Sequence, residues 1–278
     1  MNEAHYYVPP PSHYPVAINL GLFILALGMV LRIDAIASGI APILAGIALV
    51  LYGASGWVGK IFCEDESGKY HPWEDRSFRI GMAYFILAEF ALFGAFLLAL
   101  MYLRVFSVSE LASMDMHFTL WPDFKGVWPT GGPKSQAFTP LAAAGLPAVN
   151  VMLILASAVS LIWARKGLMA GNHGQMIAGM AIALVLGAAF LFQQAMEYRH
   201  AGELGVTLAS GIYGTNFYML TGLHGLHLMA GMIMLAALLL RAFHGRSSSH
   251  VGLDLVTWYW NFAVVIPGLL VFVYFYWL

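Results

Sequence analysis

The hydrophobic positions of the chain fall into long, nearly continuous runs separated by shorter polar segments. A membrane-spanning helix needs about 20 mainly apolar residues. The runs do not alternate between apolar and polar positions, as the strands of a membrane barrel do. The pattern therefore predicts an all-α integral membrane protein with seven transmembrane helices, at residues 15–31, 35–60, 78–104, 141–164, 174–198, 212–243 and 251–278.

The longest polar connection covers residues 105–140 and is rich in Trp, Pro and Gly. Aromatic residues and prolines at this density are typical of a structured loop at the level of the lipid headgroups. We therefore predict a structured outer loop there, within a single membrane domain covering residues 1–278. Because no internal repeat is visible, an inverted-repeat transporter gains no support.

The basic residues of the connections predict the orientation, since cytoplasmic loops carry an excess of Lys and Arg. Eight basic residues belong to connections on the N-terminal side and five to the opposite side. This bias predicts a cytoplasmic (or matrix) N-terminus. The first 14 residues contain no Lys or Arg, so we expect no cleaved signal peptide there.

The composition agrees with a membrane protein and excludes several other classes. Hydrophobic residues make up 60% of the chain and charged residues 10%, whereas a soluble domain carries about 25% charged residues. The net charge of −1 gives no indication of nucleic-acid binding. The one cysteine, Cys63, cannot form an internal disulfide or a paired-cysteine metal site.

Glu89 lies near the middle of the third apolar run. A charged carboxylate at that depth costs about 2.5–3.5 kcal/mol on insertion scales. Glu89 is therefore protonated, hydrogen-bonded to a neighbouring helix, or in contact with water or a lipid headgroup. A neutral acid that links two helices and an acid in a proton path are both open interpretations.

Glu197 lies near the end of the fifth run, and His200 follows it at the i+3 position on the same helix face. Such a pair could ligate a metal ion, but no third or fourth ligand is close in the sequence. A hydrogen-bonded cluster with Gln193 and Gln194 is the preferred interpretation.

His224 and His227 occupy one face of the sixth run, between glycines that allow close helix packing. Two histidines one turn apart on one helix cannot bind opposite sides of a haem iron. We therefore prefer imidazoles that hydrogen-bond across a helix interface, and we predict no metal site in this chain. Motifs for nucleotides, zinc proteases and serine nucleophiles are also absent from the sequence.

Several segments, in order along nearly the whole chain, resemble subunit III of the haem-copper oxidases of the cytochrome c oxidase type. The most specific is Thr221-Gly222-Leu223-His224-Gly225-Leu226-His227 with Tyr213-Gly214 before it. The others are Glu64–Gly68 through His71-Pro72, Ala88-Glu89 with Phe93, Trp128–Gly131, Pro147 to Asn150, Trp163-Ala164, Gln194–Tyr198, and Trp258-Tyr259-Trp260 with Phe262.

The resemblance implies helices 1–2 and 3–7 in two groups, separated by a V-shaped lipid cleft. It implies a non-catalytic subunit of an aa3-type cytochrome c oxidase. Such a subunit contacts subunit I, shares the complex with subunit II, and supports proton uptake and turnover stability. Haem and copper are then expected in the partner subunits, and cytochrome c is the electron donor of the complex. A bacterial plasma membrane is expected ahead of the mitochondrial inner membrane.

The chain departs from the family pattern after Trp260. Asn261 and Val264 stand where the family carries His and Asp, so a buried acid is expected to be missing from the seventh helix. Arg165-Lys166 replaces a histidine pair at the end of the fourth helix. These differences predict a divergent bacterial member.

Trp57 and Arg241 match positions that hold lipid headgroups in the family, so bound phospholipids are expected there. For Arg241, the positive-inside bias is an alternative explanation. Two other functions stay open. One is an accessory subunit of a quinol oxidase or nitric oxide reductase, although quinol-type homologues tend to lack the first two spans. The other is an independent proton channel or transporter that uses Glu89.

Overall fold

The structure, a computed structural model, describes residues 7–33, 39–113, 120–135, 137–245 and 250–277. In these ranges the regular elements are helical, and seven helices are long and apolar enough to cross a membrane. This confirms the predicted fold class. The helices are α1 (Tyr14–Ile33), α2 (Ile40–Glu66), α3 (Pro72–Ser113), α4 (Leu146–Met169), α5 (His173–Glu203), α6 (Gly211–Phe243) and α7 (His250–Trp277).

The helices extend beyond the apolar runs that predict them. In particular, α3 continues through a π-helical turn, Leu103–Ser107, to Ser113. The predicted start of the outer loop at residue 105 was therefore wrong. The physical reason is that hydropathy detects only the apolar part of a helix, whereas backbone hydrogen bonds continue through the polar residues beyond it. Residues 35–38 and 278 of the predicted helices, and residues 114–119 and 136 of the predicted loop, lie outside the part of the chain that the structure describes.

Residues Met1–Ser77 form the first of two compact units. Here α1 and α2 pack as an antiparallel pair, and glycines allow the two backbones to approach closely. A Cβ atom added at Gly46 would lie 2.6 Å from the backbone nitrogen of Leu25, and one at Gly28 would lie 2.7 Å from that of Ile43. Close contact at small residues is how membrane helices gain packing energy where lipid provides no hydrophobic driving force.

The connection between α2 and α3 is fixed by carboxylates. The hydroxyl of Tyr70 donates a hydrogen bond to Oε2 of Glu64 at 2.8 Å. Burial, followed by this hydrogen bond to the carboxylate, raises the pKa of Tyr70, so the phenol stays protonated and keeps donating. Glu74, in the first turn of α3, accepts from the backbone N–H groups of His71 and Tyr7, each at 2.9 Å. A carboxylate at this position also suits the positive end of the helix dipole.

Residues Phe78–Leu278 form the second unit. In this unit α4 packs along α5, α5 contacts α6, and α7 contacts both α4 and α6. The fully buried indole of Trp260 fills the space that Gly231 leaves on α6, where an added Cβ would lie 3.0 Å from the ring. Its Nε1–H donates to Oγ of Ser157 at 2.9 Å, so the polar end of the indole is satisfied inside the core.

The described part of the loop before α4 packs on the beginning of α6. The backbone N–H of Leu141 donates to the hydroxyl of Tyr213 at 3.0 Å, and the ring of Phe138 stacks on the same tyrosine at 4.9 Å. The backbone N–H of Ile212 also donates to the carbonyl of Gly131 at 3.1 Å. The predicted structured loop therefore has fixed contacts with the helices over its described residues. The V-shaped cleft between the two helix groups stays a prediction.

Candidate functional site

The main candidate is a carboxyl–imidazole pair between α3 and α6. Oε2 of Glu89 lies 2.6 Å from Nε2 of His227. The side chains are only 13% and 12% exposed, so water competes little for this contact. Phe93 packs edge-on against the imidazole at 5.1 Å. The tertiary structure thus supplies the partner on a neighbouring helix that an isolated intramembrane acid requires.

The second nitrogen of His227 decides how many protons the pair holds. Nδ1 lies 2.8 Å from the carbonyl oxygen of Leu223, which can only accept a hydrogen bond. Nδ1 therefore carries a proton, and in the neutral ring Nε2 is the acceptor. The short contact with Glu89 then needs one further proton, held on the carboxyl or transferred to the ring. The geometry of the pair therefore suits the sharing of one proton between the carboxyl and the imidazole.

α7 completes the surroundings of this pair. The hydroxyl of Tyr259 donates to the backbone carbonyl of His227 at 3.0 Å. The ring of Tyr259 also stacks on Phe85 of α3 at 6.1 Å. This tyrosine therefore connects the helices that carry the acid and the imidazole, and sequence reasoning identified it only as a part of the family motif.

His224 belongs to a different cluster from His227. Its Nε2 lies 2.9 Å from the carbonyl oxygen of Val264 on α7, and the residue is buried. Gly268 makes room for the ring, since an added Cβ there would lie 2.8 Å from Nε2. The two imidazoles contact different neighbours, that of His227 on α3 and that of His224 on α7, although their positions on α6 are only about 60° apart around the helix.

Glu197 is buried near the C-terminal end of α5, in the second unit. Its Oε1 accepts a hydrogen bond from the hydroxyl of Tyr276, and its Oε2 accepts one from Nε2 of Gln194 at 3.1 Å. His200, its alternative metal-binding partner, is exposed and lies 3.7 Å from Glu203 instead. The geometry therefore favours the hydrogen-bonded cluster over a metal-binding pair. Within the described ranges, no three His, Cys, Asp or Glu side chains group as metal ligands.

The two predicted lipid-binding residues differ in exposure. Trp57 lies on α2 and is 43% exposed, as an aromatic residue that contacts lipid would be. Arg241 lies in the last turn of α6 and is only 8% exposed. A headgroup could reach Arg241 only through this small exposed part.

Sequence reasoning missed an ionic cluster that centres on Asp254, near the start of α7. Oδ2 lies 2.6 Å from Nη2 of Arg79 on α3, and Oδ1 lies 2.5 Å from Nε of Arg165 on α4. Asp254 thus gives α7 a buried acid, although Val264 stands where the family carries one. A signal was available, since the predicted topology places the ends of the helices that carry these residues on one side of the membrane.

The comparisons with known proteins agree with one another across almost the whole chain. The family model described as cytochrome c oxidase subunit III matches residues 4–278. The chain belongs to the cytochrome c oxidase subunit III family. Its relatives are subunits of an oxidoreductase complex, and membership of this family implies assembly with other subunits.

Curated relatives come from both animals and bacteria. A protein named cytochrome c oxidase subunit 3 from Formosania lacustris is 33% identical over 99% of this chain and 98% of its own length. The protein of that name from Osphranter robustus is 32% identical over 98% and 96%. A probable cytochrome c oxidase subunit 3 from Rickettsia felis is 31% identical over 94% and 91%. The predicted family is confirmed.

Proposed function

We propose that this chain is the non-catalytic subunit III of an aa3-type cytochrome c oxidase, where it supports proton uptake and the turnover stability of subunit I. The observation that carries this proposal is the contact of 2.6 Å between Oε2 of Glu89 on α3 and Nε2 of His227 on α6. A carboxyl–imidazole pair that holds one proton can accept or release it with a small movement. Such a pair suits a role beside a proton path and requires no metal.

The redox chemistry belongs to the other subunits in this proposal. Haem and copper reside in subunits I and II, and cytochrome c supplies the electrons to the complex. The residues that the structure describes here offer the complex a half-buried carboxyl–imidazole pair and two buried polar groups, Glu197 and His224. Subunit I is the main contact of the chain.

Bound phospholipid is the second part of the proposed role. Trp57 offers an exposed indole on α2, and indole side chains favour the headgroup region of a bilayer. Arg241 offers a cation at the end of α6, near which an anionic headgroup is stabilised. The relatives from Rickettsia support a bacterial plasma membrane as the location. The basic residues of the connections support a cytoplasmic N-terminus.

The test compares Glu89→Gln with Glu89→Ala in the purified intact oxidase. Glutamine keeps the size and hydrogen bonding of the side chain but cannot share a proton, whereas alanine removes both. We expect unchanged haem spectra, with slower turnover or faster loss of activity in both variants. The measurement is the rate of oxygen consumption with reduced cytochrome c and the number of turnovers before inactivation.

The matched control is Glu110→Gln, which changes an exposed acid beyond the membrane part of α3. This control should keep wild-type kinetics. If Glu89→Gln also keeps wild-type turnover and lifetime while Glu89→Ala does not, the carboxyl is only a structural link and the proposed proton role is wrong. Activity with a quinol but not with cytochrome c would instead assign the complex to the quinol oxidases.

A further inference from the structure

A small cavity lies among α4, α5, α6 and α7 of the second unit. Its volume is about 30 Å³. It is separate from the Glu89–His227 pair, neither member of which lines it. The polar side chains in its lining are those of Asn150, Gln194, Glu197, Thr221, His224 and Tyr276.

Asn150 is the unusual member of this lining. The residue is 4% exposed, yet neither Nδ2 nor Oδ1 of its amide has a hydrogen-bond partner among the described residues. A buried amide without partners is unfavourable, because it has lost its hydrogen bonds to water and has gained none in return. We propose that the cavity is a water-binding site and that the Asn150 amide is its principal ligand.

The volume sets how many water molecules the site takes. A cavity needs about 10–15 Å³ on this measure to hold one water molecule. A volume of about 30 Å³ therefore accommodates one or two. This small volume and the hydrogen-bonding groups of the Asn150 amide together favour water as the ligand.

The other polar groups of the lining can complete the coordination of this water. Buried water molecules make about three hydrogen bonds to polar groups. The carboxylate of Glu197 has lone pairs beyond those that accept from Gln194 and Tyr276. His224 donates through Nε2 to the carbonyl of Val264, so Nδ1 of the neutral ring is an acceptor. The amide of Asn150 adds two donors and one acceptor.

A second cavity lies beside the first. It has a volume of about 270 Å³ and is lined by the residues that precede and begin α4, together with His200 of α5. Glu197 and Pro147 line both cavities and therefore stand between them. In this proposal the carboxyl of Glu197 is therefore accessible to water from both cavities.

The test is a density map of the intact complex at a resolution that shows buried water. We expect density for one or two water molecules in the wild-type cavity, the first within hydrogen-bond distance of the Asn150 amide. Asn150→Leu removes the ligand atoms at similar volume and should leave the cavity without water. Ile154→Leu changes an apolar residue of the same lining and should retain the density.

Two results would overturn the proposal. One is a wild-type cavity without density in a map that resolves water at other buried sites of the complex. The other is water density that is unchanged in Asn150→Leu. If Asn150→Leu fails to assemble, the wild-type map and Ile154→Leu still decide the question.

Discussion

Replacing Asp254 with asparagine removes the charge that joins three helices of the second unit. The carboxylate contacts Arg79 of α3 at 2.6 Å and Arg165 of α4 at 2.5 Å. Asparagine has almost the same size, so the substitution tests the charge with little change in packing. We expect a less stable chain, because both guanidinium groups lose their anionic partner together.

The size of the effect follows from how far each group is from water. The Asp254 side chain is 11% exposed, and those of Arg79 and Arg165 are 33% and 41% exposed. Breaking a fully buried pair costs about 3–5 kcal/mol, whereas an exposed pair contributes about 0–1 kcal/mol. Because the arginines can regain contact with water, we expect a loss of about 2 kcal/mol. For a chain of this size that corresponds to a fall in Tm of about 4–8 °C.

The assay heats the purified complex and measures, at each temperature, the fraction of this chain that resists proteolysis. The temperature at which half of the chain is cleaved gives its Tm. The chain contains a matched control in Glu203→Gln, which breaks the exposed pair of Arg199 and Glu203, with side chains 75% and 59% exposed. That variant should lose about 1 kcal/mol at most, and less in high salt. If Asp254→Asn lowers the Tm no more than Glu203→Gln does, the reasoning from burial is wrong.

Three further variants test the packing and the lipid site. Gly46→Ala places a methyl group 2.6 Å from a backbone atom of α1. In the same unfolding assay it should destabilise the first unit by about 1–3 kcal/mol. Its control, Gly59→Ala, places the methyl group where no atom lies within 4 Å, so it should leave the stability unchanged or raise it. Equal effects would contradict the close approach of α1 and α2. Ser157→Ala leaves the indole N–H of Trp260 without its partner at 2.9 Å and should cost about 1–3 kcal/mol; an unchanged Tm would refute this. Arg241→Ala should lower the phospholipid that co-purifies with the complex, and an unchanged lipid content would exclude the proposed contact.

The seven helices could be predicted from the sequence because hydropathy alone decides which segments leave water. Glu89 could be selected for the same reason, since an acid in the middle of an apolar run requires a partner. The identity of that partner was not predictable. It depends on which faces of α3 and α6 meet, and this is decided by packing among all the helices of the unit rather than by either segment.

Asp254 and Asn150 show two different limits of the sequence. The contacts of Asp254 follow from the topology of the chain. Successive helices cross the membrane in opposite directions, so the start of α3, the end of α4 and the start of α7 are expected on the same side of the membrane. Attention to the charged residues at those ends would have found them. The lack of hydrogen-bond partners for the Asn150 amide could not have been predicted from the sequence. An asparagine near the start of a helix is common, and it becomes unusual only when the residues around it in space offer no partner.

The most direct test of the account is to purify this chain through an affinity tag from membranes of cells grown with oxygen. The account predicts a complex with an aa3-type haem spectrum and copper, which consumes oxygen with cytochrome c. After the chain is dissociated from it, haem and copper should stay with the other subunits. Recovery of the chain alone, or of iron or copper bound to the chain itself, would contradict the account.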